Sequence, residues 1–233
     1  MKPLANTFRN LLKPLFRGFN RAVLLWVPSY DSTPSPMERW LDGLWFPWGS
    51  RRHVAKGWDV RRDTIVRALR DTEGFERVKI FLGHGMTGAL LGPAEGNETD
   101  LFSSDSSFSV IYDEALITPN PSALFAFCCH SGVDLGPTFS GPPGRSFLGY
   151  RAEVYVPMLD RQCRDVWRTI IRTVASEVIR DGTIDARHES RLKELYEGYL
   201  NHYIVGPGKE NTEVALYMAM HLNWQSENVC RYP

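Results

Sequence analysis

Three short runs dominated by apolar residues constrain the fold of this chain more than any other feature. They lie at residues 22–27, 78–82 and 124–128. Runs of this length read as strands, and the first is too short to cross a bilayer. The third run is apolar throughout, which is expected of a strand with helices on both faces of its sheet. The pattern predicts an α/β fold, a three-layer sandwich around a mostly parallel central sheet.

The remaining segments are predicted from periodicity and turn residues. Helices are expected from a cap at Asp59 to about residue 71, over about 160–180, around 192–199 and over about 212–222. Residues 86–92 read as a short strand or hairpin arm, and 146–156 as a strand. The predicted irregular segments are a Trp- and Pro-rich insertion at 28–57, a solvated loop at 96–109 and a Gly- and Pro-rich loop at 131–145.

The chain also divides into three regions by composition and pattern. Residues 1–20 form a basic amphipathic segment, residues 21–182 contain the predicted sheet, and residues 183–233 form a helical extension expected to pack on the same domain. Only the middle region carries the apolar runs of a central sheet.

A reactive side chain follows each of the last two runs. His84 comes after the second run in FLGHG, and Cys129 comes after the third in FAFCCHSG. Ligands of open α/β sheets collect outside the carboxyl ends of the strands, so both side chains are expected at one sheet edge. A free thiol is mostly protonated at neutral pH and needs a base before it attacks a carbonyl. We therefore interpret Cys129 as a nucleophile and His84 as its base.

Glycine follows the histidine at once, and this also has a chemical use. Gly85 has no Cβ, so its backbone can approach a substrate closely. The backbone amides of Gly85 and Cys129 are the candidate oxyanion donors for an acyl-transfer reaction.

These motifs resemble those of the caspase-like clan of cysteine peptidases, which includes metacaspases and the bacterial CHAT proteases. The string GHG at 83–85 is similar to the sequence around the clan's histidine, and CHSG at 129–132 to that around the metacaspase nucleophile. The string SFLGYRAEVYVP at 146–157 is similar to the strand that follows the nucleophile in CHAT-type members. The resemblance implies a caspase-like fold, a His/Cys dyad and peptide hydrolysis.

The resemblance also implies a substrate pocket, and here the chain departs from the metacaspase pattern. Phe127 stands where metacaspases carry the pocket acid, so a strict Arg or Lys preference is not expected. Asp134 is the nearest acid in sequence that would replace it. Ser146, at the start of the segment similar to CHAT members, is assigned to substrate binding with these two residues.

The other titratable candidates are weighed by their positions. His130 follows the nucleophile directly, but adjacent side chains at a strand end diverge, so His84 is preferred as the base. For the same reason Cys128 is expected in the core, and Cys163 belongs to an apolar helix face. Three acids, Asp113, Asp134 and Asp160, are alternatives for orienting His84, and the sequence does not choose among them.

The composition of the chain limits the kinds of partner that we expect it to bind. The 233 residues balance 27 basic against 27 acidic side chains, which gives no general attraction to nucleic acid. Four cysteines without a disulfide or zinc-ligand spacing fit a reducing, cytoplasmic setting, and we expect no metal and no cofactor. The basic amphipathic segment at 1–20 is interpreted as a packed helix or propeptide, and a segment that lies on an anionic membrane or directs targeting is the alternative.

The function predicted from the sequence is a cysteine endopeptidase of the caspase-like type acting on a protein or peptide substrate. Regulation by a partner protein or by processing is expected, because Gly- and Pro-rich segments flank the site. Two alternatives stay open: a non-catalytic caspase-like scaffold that binds partners through its Trp-rich insertion, and acyl transfer by the same dyad.

Overall fold

The protein is an α/β structure with a central six-stranded sheet in the part of the chain that the computed structural model describes, residues 20–28, 35–93, 98–103, 121–156, 161–210 and 212–233. Its strands are β1 (Arg21–Val27), β2 (Arg51–Lys56), β3 (Glu76–Leu82), β7 (Ser122–Phe127), β8 (Arg145–Tyr150) and β9 (Val229–Tyr232). The order across the sheet is β2-β1-β3-β7-β8-β9. Neighbouring strands of this sheet run parallel except for the antiparallel β8–β9 pair. The predicted α/β class with a mostly parallel sheet is confirmed.

A second, three-stranded sheet follows β3 directly. It contains β4 (Gly85–Met86), β5 (Ala89–Pro93) and β6 (Glu98–Ser103), paired antiparallel in that order. The predicted hairpin arm at 86–92 corresponds to β4 and β5. This small sheet begins at Gly85, so the chain turns into it immediately after His84.

Helices cover both faces of the central sheet. They are α1 (Arg62–Asp71), α2 (Leu135–Ser140), α3 (Arg161–Asp181), α4 (Ala186–Ile204) and α5 (Thr212–Asn228), with 3₁₀ turns at Ser35–Arg39, Gly57–Asp59 and Pro207–Glu210. One hydrophobic core joins the sheet to α3, α4 and α5, and a second joins its other face to α1 and α2. Strand β3 contributes Ile80 to the first core and Phe81 to the second, as alternation along a strand requires.

Several boundaries differ from prediction. Strand β2 lies inside the segment predicted as an irregular insertion, because it is an edge strand with mostly exposed side chains and so has no apolar run. Strand β6 lies where a solvated loop was expected, and α2 lies within the predicted Gly- and Pro-rich loop. Strand β8 ends at Tyr150 and not near 156, and β9 was not predicted. The cap of α1 is Arg61, since Asp59 belongs to the preceding 3₁₀ turn.

Three basic side chains lie buried on the α2 side of the sheet, near the amino ends of the strands. Arg77, Lys79 and Arg145 are each 3% exposed or less. The Lys79 ammonium contacts the Ser122 hydroxyl and lies 4.9 Å from the centre of the Phe139 ring. Burial, followed by the charges of Arg77 and Arg145, holds the pKa of Lys79 well below its usual value. This cluster therefore lies away from His84 and Cys129, which follow the carboxyl ends of their strands.

Candidate active site

The two predicted catalytic side chains follow neighbouring strands. Strands β3 and β7 pair parallel with Leu82 opposite Phe127, so both end at the same edge of the sheet. The Gly83 amide donates to the Phe127 carbonyl at 3.2 Å, which extends the ladder one residue past β3. His84 and Cys129 therefore leave the sheet side by side. Parallel pairing produces this adjacency, because the carboxyl ends of parallel strands meet at one edge.

Gly85 brings the histidine segment against the cysteine segment. A Cβ placed on Gly85 would lie 2.7 Å from the Cys129 carbonyl oxygen and 2.7 Å from the Cys128 Sγ. Real Cβ atoms do not approach other atoms that closely, so the absence of a side chain is needed here. Gly85 thus lies in contact with the backbone of the candidate nucleophile, where an amide donor for its substrate was predicted.

The Cys129 thiol is partly exposed and has a defined neighbour. The Val154 amide, in the segment that follows β8, donates to the Cys129 Sγ at 3.3 Å. Burial raises the pKa of Cys129, and the nearby charge of Glu153 acts in the same direction, while the Val154 hydrogen bond opposes them. The resting thiol is therefore protonated at neutral pH, and nucleophilic attack requires a base.

Two histidines are the candidate bases, one just after β3 and one directly after Cys129. His84 follows β3 and is partly buried, and its backbone carbonyl accepts from the Leu91 amide at 3.1 Å. His130 adopts a left-handed backbone with φ of 52°, which turns it toward the segment after β8. Its Nδ1 lies 3.2 Å from the Arg151 carbonyl oxygen, so Nδ1 carries the proton, because a carbonyl only accepts. Its Nε2 lies 3.5 Å from a Glu153 carboxylate oxygen.

The remaining predicted residues fall in different places. Phe127 is fully buried between Trp40 and Tyr150, with ring centres 6.2 and 5.6 Å away, so it belongs to the core and lines no substrate pocket. Ser146 is buried at the amino end of β8, where its hydroxyl accepts from the Ile184 amide, and this is the sheet edge opposite to Cys129. Asp134 is exposed just before α2. Asp113 and Asp160 lie outside the described residues, as does the predicted amphipathic segment up to residue 19.

Two other cysteines, Cys128 and Cys163, were predicted to have packing roles. Cys128 is 1% exposed and packs in the core on the α1 and α2 side, and Cys163 is fully buried on α3. Both predicted packing roles are confirmed. All four cysteines are free thiols, and burial raises the pKa of Cys230 to about 11.

The sequence reasoning missed Glu153, Val154 and Trp224. The Trp224 indole and the Gln225 amide both donate to the Glu153 carbonyl, at 3.0 and 3.5 Å. A backbone amide leaves no mark in the sequence, and Trp224 lies far from Cys129 along the chain. No motif or local spacing would have found these contacts.

Among the described residues, no three His, Cys, Asp or Glu side chains come together to hold a metal ion. No helix there is both long enough and apolar enough to cross a bilayer. The chain matches no protein-family model and no curated protein.

Proposed function

We propose that the protein is a cysteine endopeptidase of the caspase-like type, with Cys129 as nucleophile and His84 as base. The observation that carries the proposal is the contact between Gly85 and the Cys129 backbone, past the ends of two adjacent parallel strands. That contact joins a nucleophile, a candidate base and a side-chain-free backbone in one place. Acyl transfer by a thiol requires these three parts together.

The proposed reaction proceeds in two halves. His84 takes the Cys129 proton, the sulfur bonds to the peptide carbonyl carbon, and the amides of Gly85 and Cys129 donate to the oxyanion. His84 returns the proton to the leaving amine as the C–N bond breaks, which leaves a thioester. Water, giving its proton to His84, then attacks the thioester, and the sulfur leaves as a thiolate that regains the proton. No cofactor takes part in these steps.

His130 is the specific rival for the base. Its hydrogen bond to the Arg151 carbonyl fixes its ring, and Glu153 lies at its second nitrogen. An imidazole next to a carboxylate is the pairing that orients a catalytic base in other hydrolases. His84 is preferred because it follows β3, whose end is paired with the end of β7, and because the adjacent Gly85 contacts the Cys129 backbone.

The test compares two matched pairs of variants. The chain is incubated with a peptide library and with an electrophilic peptide probe for thiols. Cys129→Ala is expected to abolish cleavage and labelling, whereas Cys128→Ala keeps both with some loss of stability. His84→Gln is expected to lower turnover by about 10²–10⁴-fold, the usual value of a general base, and His130→Gln serves as its control.

The outcomes separate the alternatives. Full activity in Cys129→Ala overturns the proposal, and loss confined to His130→Gln transfers the role of base. A wild-type chain that is labelled but cleaves no peptide, alone or with a cell extract added, supports acyl transfer or the scaffold instead. Cleavage that appears only with the extract supports the expected regulation by a partner.

A further inference from the structure

One peptide group, between Glu153 and Val154, is hydrogen-bonded on both sides. Its carbonyl oxygen accepts from the Trp224 indole at 3.0 Å and from the Gln225 amide at 3.5 Å. Its N–H donates to the Cys129 sulfur at 3.3 Å. A single planar unit therefore connects the end of α5 to the candidate nucleophile.

Because the peptide is planar, the directions of its C=O and N–H groups are coupled. In a trans peptide the C=O and N–H point in opposite directions within one rigid plane. A donor that fixes the carbonyl therefore also fixes the direction of the N–H. A hydrogen bond accepted by the carbonyl also polarises the group and strengthens the bond that its N–H donates.

The segment around this peptide depends on such contacts for its position. Strand β8 ends at Tyr150, so residues 151–156 are outside the sheet ladder. The Arg151 amide donates to the Asn228 carbonyl at the end of α5, and the Ala152 carbonyl accepts from the His130 amide. The hydrogen bond from Trp224 is the shortest that a side chain makes with the Glu153–Val154 peptide, and Trp224 as a whole is 39% exposed.

We propose that Trp224 is a positioning residue, which orients the Glu153–Val154 peptide so that its N–H holds the Cys129 sulfur in place. The effect on peptide hydrolysis rests on the function proposed above, while the effect on the thiol does not. Loss of the indole N–H weakens the Val154 bond and so destabilises the thiolate relative to the thiol.

The test removes the indole N–H and measures the thiol. Trp224→Phe keeps an aromatic ring without the donor, and benzothienylalanine at position 224 keeps the shape of the indole with sulfur in place of the N–H. Trp45→Phe is the matched control, since Trp45 is 64% exposed and takes no part in the hydrogen bonds described above for residues 151–154. Alkylation of Cys129 by iodoacetamide is followed from pH 6 to 11 by mass spectrometry of its peptide.

We expect both changes at position 224 to move the alkylation midpoint upward by about 0.3–1 pH unit, which lowers the rate at pH 7.5 about two- to tenfold. Trp45→Phe should follow the wild-type curve. A benzothienylalanine curve that superimposes on wild type overturns the proposal, and this variant decides the matter if Trp224→Phe does not fold. An equal shift in Trp45→Phe also overturns it.

Turnover distinguishes this proposal from the function on which it rests. If the chain is a peptidase, the Trp224 variants should lose kcat with little change in KM. A shifted thiol in a chain that hydrolyses no peptide supports the positioning role and counts against the peptidase. Peptide hydrolysis with an unshifted thiol does the reverse.

Discussion

Gly85→Ala is the substitution whose cost in stability and activity follows most directly from the structure. The new methyl group would lie 2.7 Å from the Cys129 carbonyl oxygen, where ordinary contact begins at 3.4 Å. The two segments must therefore separate by about 0.7 Å, and the buried Cys128 sulfur, which would also lie 2.7 Å from the new methyl group, must be cleared as well. Extra atoms in a tightly packed site cost about 1–3 kcal/mol of stability. A misplacement near 1 Å in a catalytic site costs on the order of 10²-fold in rate.

We therefore expect Gly85→Ala to lose about 1–3 kcal/mol of unfolding free energy and about 10- to 100-fold in kcat/KM toward the best library peptide. Gly198→Ala is the matched control, because Gly198 lies within α4 and a Cβ there meets nothing within 4 Å. That change should stabilise the chain by about 0.5–1 kcal/mol, as alanine does in an exposed helix.

Urea denaturation gives both free energies, and the cleavage assay gives both rates. The reasoning fails if Gly85→Ala unfolds within about 0.5 kcal/mol of wild type, the range of neutral surface changes, and retains wild-type turnover. Loss of activity in Gly198→Ala as well would show that the assay reports something other than the Gly85 contact.

Two further predictions concern charged side chains, the buried Lys79 and the exposed Glu153. Lys79→Met should raise the unfolding free energy at pH 7 by about 1–3 kcal/mol, since a buried ionisable group, whose charged form burial disfavours, is replaced by an apolar chain of similar length. Because the folded pKa of Lys79 is lowered, wild-type stability should rise with pH between that pKa and the unfolded value of 10.5, and Lys79→Met should flatten this rise in urea titrations; an unchanged slope would contradict it. Glu153→Gln should shift the Cys129 alkylation curve to lower pH, opposite to Trp224→Phe, because it removes a negative charge that raises the pKa of the thiol; an upward or absent shift would count against this assignment.

The parts of the site that the sequence predicted are those with a local cause. A buried strand leaves a run of apolar letters, and the residue after such a run lies at the strand end whatever its partners. His84 and Cys129 were found this way. Their adjacency followed because β3 and β7 are parallel neighbours, which the motif order suggested and the strand pairing confirms.

The parts that the sequence did not predict have causes far along the chain or none in the side chains. Strand β2 is polar because it lies at the sheet edge, so no apolar run marks it. Phe127 was interpreted through an alignment of positions, but the strand ends there and its ring faces the core. Glu153 acts beside Cys129 only because β8 is the next strand after β7.

The turn that carries Cys129 is held by residues 224–232 as well as by the sheet that precedes it. The Gly132 amide donates to the Tyr150 carbonyl at 2.8 Å, and the Gly132 carbonyl accepts from the Tyr232 hydroxyl at 2.8 Å. Trp224 and Asn228 hold the other side of the thiol through residues 151–154. A boundary after residue 182 would therefore separate Cys129 from the groups that hold its turn and its sulfur. Since these contacts join distant parts of the chain, Cys129 reaches its final geometry only when α5 and β9 have docked on the sheet.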